Sequence, residues 1–105
     1  MLKKIPAFEI LEQFNAEASQ LFVLLSDAER WPADSIARVL VVRAPGYVQV
    51  AFLDRSRATI EIAGAGTGKC EVKVMHELLT DQDAVKLQKK FWRQLFTKLR
   101  GQVEQ

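Results

Sequence analysis

The sequence has one cysteine, one histidine and three prolines among 105 residues. A lone Cys70 cannot close an internal disulfide, so the domain must hold together by burial alone. A reducing, cytoplasmic setting is the expectation. With Cys70 and His76 as single copies, no Cys or His pair has metal-ligand spacing, and neither a metal nor a cofactor is expected. Charge of one sign is also scarce: a net +2 is too small to argue for a nucleic-acid partner. No stretch approaches the ~20 apolar residues that span a bilayer, so no stable membrane insertion is expected. Behind Lys3 and Lys4 the chain is soon interrupted by Glu9 and Glu12, which gives no signal peptide. Repeats, low-complexity tracts and linkers are missing too. The hydrophobic content of 49% and charged content of 27% are ordinary globular values, so residues 1–105 are read as one domain with a buried core.

The chain is organised around Thr80 to Gln105. Ala84, Leu87, Phe91, Leu95 and Leu99 recur at helical spacing, and Val85, Trp92, Phe96 and Val103 widen that stripe. Thr80 with Asp83 fits a capping box, and Gly101 reads as the stop. The other face carries Lys86, Lys89, Lys90, Arg93, Lys98 and Arg100. It reads as a solvated face, with an acidic partner or lipid head group as the sharper alternative.

Upstream, Phe8 to Phe14 alternates as a strand. Asn15 then caps a helix from Ala16, with Ala18, Leu21, Phe22 and Leu25 as its buried stripe. Ser26-Asp27 opens a short helical turn through Trp31, and Pro32 stops it. From Ile36 the period changes to two. Strands are expected over Arg38–Arg43, Tyr47–Leu53, Arg57–Ala63 and Lys69–Leu78, joined by short turns at Ala44-Pro45-Gly46, Asp54-Arg55-Ser56 and Gly64–Gly68. Short turns imply an antiparallel meander, and one apolar face per strand implies a sheet covered on one side. The expected fold is therefore α+β: a curved antiparallel sheet of about five strands packed around a long C-terminal helix, with a short helix pair after the first strand.

Chemistry is sparse. Gly64-x-Gly66-x-Gly68-Lys69 fails the phosphate-loop spacing and enters a strand, so it reads as a hairpin turn. Alternation from Val72 and Val74 aims His76 at the concave face. There it is either a structural side chain or one that orients a ligand. Cys70 reads as a small packed hydrophobe, and no residue is assigned a catalytic role. Phe91 and Trp92 read as core or as pocket wall.

The chain also resembles a known superfamily. Phe14-Asn15-Ala16 and the run Leu21 to Pro32, which ends Ser-Asp-Ala-Glu-Arg-Trp-Pro, resemble the opening of the START/polyketide-cyclase/birch-allergen (helix-grip) proteins. The branch it looks most like is that related to the chaperone-ATPase activator. Gly68-Lys69, Val72, Val74, His76-Glu77-Leu78-Leu79, Phe91-Trp92, Leu95 and Leu99 resemble the same branch's ending. Family members run longer before the central hairpin, whereas here Pro32 leads almost directly to Arg38. The resemblance, together with the apolar stripe, implies a small apolar or lipid-like ligand held between helix and sheet. Its lining is expected from Val50, Phe52, Ile60, Ile62, Val74, His76, Phe91 and Leu95. The alternative is a protein-interaction or chaperone-regulator module without a cavity, in the form of a homodimer or bound to a protein partner. A small cyclase- or hydrolase-type enzyme ranks third, since only His76 offers acid–base capacity.

Overall fold

The alternating middle of the chain forms one open, curved sheet in which every neighbouring pair is antiparallel. The computed structural model describes residues 6–104. The stretch 1–5, where no leader is expected, and Gln105 lie outside the described residues. In chain order the elements are β1 (Phe8–Phe14), α1 (Ala18–Ser26), a single 3-10 turn (Ala28–Arg30), β2 (Ile36–Arg43), β3 (Tyr47–Phe52), β4 (Arg57–Gly64), β5 (Cys70–Glu77) and α2 (Gln82–Val103). The spatial order is β1-β5-β4-β3-β2, so the first strand closes against the last and β2 is the far edge.

Register puts the apolar residues in rows. Val42, Val48, Ile60, Val74 and Ile10 lie side by side across the five strands, and so do Val39, Val50, Ala58, His76 and Phe8. On β1, β3, β4 and β5 the two rows are two residues apart, so alternation points both to the same face; on β2 the register shift between Val39 and Val41 absorbs the odd spacing. α1 and α2 cover that face. Trp92, Phe14, Phe96, Leu21, Leu25 and Ile60 are among its largest fully buried side chains. Each contributes roughly 1.5–3 kcal/mol of burial energy, so this docking dominates the stability. Gly46 ends the tight turn between β2 and β3, against β4: Ile62 N donates to Gly46 O at 2.7 Å, and a Cβ on Gly46 would sit 2.0 Å from Ile62 O. Only a residue without a side chain fits there.

Three details differ from the sequence reading. The cap of α1 is Glu17, not Asn15: Gln20 Oε1 accepts the Glu17 amide at 2.9 Å, while the Asn15 amide goes to Glu104 Oε2 at 2.7 Å. The cap of α2 is Asp81, whose Oδ1 accepts from Ala84 N at 2.8 Å; a carboxylate there also suits the helix dipole better than the Thr80 hydroxyl. Gly101 does not end α2. The helix runs on to Val103, because that last turn packs Val103 on the core and lets Glu104 reach Asn15.

The buried stripe of α2 is also rotated from the expected one. Val85, Trp92, Leu95, Phe96 and Leu99 face the sheet, whereas Leu87 is 69% exposed and Phe91 only half-buried. The indole of Trp92 has more area to bury than Leu87, and turning it inward turns Leu87 out.

Candidate functional site

Seven of the eight residues expected to line a cavity are buried. Val50, Ile60, Val74 and His76 are fully inaccessible, and Phe52, Ile62 and Leu95 nearly so. They pack on one another and on α2. The Phe52 ring lies 4.6 Å from that of His76 and 5.5 Å, edge-on, from that of Phe91, and Phe91 stacks on Trp31. The sheet thus brings the predicted set together as core, and Phe52, Phe91 and Leu95 border clefts among the described residues.

His76 is the polar centre of that core. β5 directs it inward in register with Ala58, and α2 lays Trp92 across it. Trp92 Nε1 lies 2.9 Å from His76 Nδ1, and Ser56 Oγ lies 2.7 Å from Nε2. An indole N–H can only donate, so Nδ1 must be the acceptor and the ring proton sits on Nε2. Nε2 therefore donates to Ser56 Oγ, and the Ser56 hydroxyl in turn donates to Asp54 Oδ1. Every buried polar side-chain atom among the described residues has a partner.

That direction of donation decides what the chain Trp92–His76–Ser56–Asp54 can do. A general base must offer an unprotonated nitrogen to its serine; here His76 offers a proton instead. Ser56 is also 1% exposed, out of reach of any substrate. The arrangement is a positioning network, not a nucleophile with its base. Burial pushes His76 down to about 4, with the nearby Asp54 charge opposing it, so the ring is neutral at pH 7. For Asp54, partial burial works against the charge. The Ser56 hydroxyl, the Ser56 amide at 2.8 Å, the Gln88 amide at 3.0 Å and the positive side of His76 outweigh it and hold the carboxyl below its ordinary value. Cys70 is a buried free thiol; burial, then the charges of Glu17 and Glu104, push it up, which leaves it an inert hydrophobe.

Asp54 carries this network to the surface. Beside it is a cleft of about 330 Å³ between α2 and the β3–β4 turn. Its walls are Pro32, Phe52, Leu53, Leu87 and Phe91, with Asp34, Ser35, Asp54 and Gln88 at the rim. Leu53 and Leu87 stand 57% and 69% exposed at its mouth. Beyond Phe91 a smaller cleft of about 200 Å³ continues past Pro32, Gln94, Leu95 and Lys98.

No family model matches this chain, and no curated protein matches it.

The sequence reading includes Phe52, Phe91 and Leu95 in its lining, and all three border one of these two clefts. It misses Asp54, Ser56 and Gln88. Asp54-Arg55-Ser56 is legible only as a turn, and it is one: Asp54 accepts from the amide two residues on, and Arg55 takes a positive φ of 71°. Nothing local marks that this turn meets Gln88, 34 residues away. Among the described residues, no group of three or more His, Cys, Asp or Glu is placed to hold a metal ion, and no helix is long and apolar enough to cross a membrane.

Proposed function

We propose that this protein is a small-molecule binding domain of helix-grip type, which takes an apolar or lipid-like ligand at the mouth of the helix–sheet interface and not within it. The cleft walled by Phe91, Leu87 and Leu53 carries this reading. Its volume lies at the lower end of the range for small-molecule sites, about 300–1,000 Å³, and a mostly apolar lining with a few polar groups is typical of such sites. A second groove, between Val23, Leu24 and Val103, is larger, but none of the eight residues expected to line a pocket borders it. The resemblance to the START/polyketide-cyclase superfamily supports the same kind of ligand. A reducing compartment such as the cytoplasm fits the free thiol of Cys70.

The test is amide chemical-shift mapping with hexan-1-ol as a neutral apolar probe, together with native mass spectrometry of the freshly purified protein. Shifts centred on Leu53, Leu87 and Phe91 are expected. Shifts confined to Val23 and Val103, or none at all, would defeat the cleft.

The protein-interaction reading rests on the open edge at β2. Two register shifts, between Ile36 and Arg38 and between Val39 and Val41, interrupt that edge. Such irregularities are how exposed edge strands avoid pairing with a second chain, so the homodimer takes second place. Light scattering that returned a dimer would reverse the order.

A further inference from the structure

The chemical class of the ligand can be narrowed from the charges around the cleft; this step rests on the binding reading above. Asp34 and Asp54 line it, and no Lys, Arg or His does. Asp34 makes no ion pair among the described residues, and neither does Asp54. An ionised carboxylate offers about four acceptor positions. Asp54 uses two on Oδ1, for the Ser56 amide and hydroxyl, and one on Oδ2, for Gln88. One position on Oδ2 is left, at the rim of an apolar-walled space. The donors already in place keep Asp54 ionised and fix its direction. The cations of α2 lie outside the lining: Lys86, Lys90 and Arg93 are exposed, Lys89 sits over the Phe8 ring at 5.6 Å, Arg100 pairs with Glu12, and Lys98 borders the smaller cleft beyond Phe91. Arg55, beside Asp54 in the chain, is exposed and outside the lining as well.

We propose that the cleft selects a small amphiphile with a primary ammonium head: the head meets Oδ2 of Asp54, with Asp34 adding attraction across the rim, and the hydrocarbon or aromatic body lies against Leu53, Leu87 and Phe91. An ammonium group supplies three donors and needs no acceptor, which matches a rim that presents carboxylates. A carboxylate head of the same size meets two like charges. The aromatic wall of Phe52 and Phe91 also favours a cation over an anion.

The experiment compares hexylamine, hexan-1-ol and hexanoate, three probes with one hydrocarbon body, by amide shift mapping of the intact chain at pH 7 and low salt. Ligands this small reach only millimolar Kd. Hexylamine is expected to shift Leu53, Leu87, Gln88 and Phe91 with a Kd roughly three- to tenfold below that of hexan-1-ol, as a charge-assisted hydrogen bond gives. Hexanoate is expected to be weaker than both. Asp34→Asn, a change at an exposed position, should reduce the preference for hexylamine over hexan-1-ol, and 150 mM salt should do the same. Asp54→Asn should abolish the preference, with spectral dispersion reporting whether the variant is folded. Equal binding of all three probes, or tighter binding of hexanoate, overturns the ammonium assignment but keeps the cleft. Binding of none removes both. Because the three probes are compared on the unmodified protein, the outcome stands even if Asp54→Asn does not fold.

Discussion

The indole N–H of Trp92 donates to Nδ1 of His76 at 2.9 Å, from the middle of α2 to the end of β5. This bond fixes the imidazole tautomer, and through it the direction of every donor down to Asp54 at the surface. It also joins the two halves of the fold, since each partner is the most buried polar or aromatic group of its element. The network is fully satisfied, and a satisfied buried network specifies one packing of helix on sheet.

Stability should depend on pH through His76. Its folded value is about 4 against an ordinary 6.5, so between these limits the unfolded chain binds the extra proton. Stability is therefore complete above pH 6.5, falls as the pH drops towards 4, and takes no further loss from this group below that. The total is about 3 kcal/mol. Urea melts from pH 7 to 4.5 should show the decline. In His76→Gln the slope between pH 6.5 and 5 should vanish, because carboxylates contribute mainly below that window.

Trp92→Phe keeps most of the apolar area but takes the donor from Nδ1. We expect a loss of about 2–4 kcal/mol, partly a cavity and partly an unpaired buried nitrogen. The ring can then be protonated more readily at Nδ1, which raises its folded value towards 6.5, so the variant should lose less stability on acidification than the unmodified protein, with the decline ending at higher pH. Ser56→Ala removes the acceptor of Nε2–H and should cost about 1–3 kcal/mol without that weakening of the pH dependence.

Two glycines should respond in opposite directions. Gly46→Ala forces a methyl group to within 2.0 Å of Ile62 O, and a destabilisation of at least about 1–3 kcal/mol is expected. Gly101→Ala lies inside α2 with nothing within 4 Å of the new Cβ, and should stabilise by about 0.5–1 kcal/mol. Thermal or denaturant melts of the two variants check both signs.

Leu87, Phe91 and Phe96 should form a graded series on α2. Phe96→Ala is expected to cost about 3–5 kcal/mol as a fully buried aromatic. Leu87→Ala should stay within about 0.5 kcal/mol, because the side chain is exposed. Phe91→Ala should fall between the two while weakening hexan-1-ol binding. A Leu87→Ala loss as large as that of Phe96→Ala would mean that the helix is rotated from the orientation described.

Periodicity by itself determined most of this architecture. Alternation at Tyr47–Phe52, Arg57–Gly64 and Cys70–Glu77, with short turns between them, leaves little choice but an antiparallel meander, and the 3.6-residue stripe after Thr80 leaves little choice but a helix. The inward aim of His76 followed from the same count by twos. These are local properties, set by which face of an element is apolar. Tertiary structure alone decided which part of the broad stripe of α2 faces the sheet, since its nine apolar positions are too many for one narrow seam and the fit of Trp92 between His76 and Trp31 selects the rotation. It alone decided that the expected lining is packed solid, because space between elements depends on how volumes sum across them. The Asp54–Gln88 contact at the cleft was settled there too: a turn and a helix 34 residues apart meet only after the sheet has curved around α2.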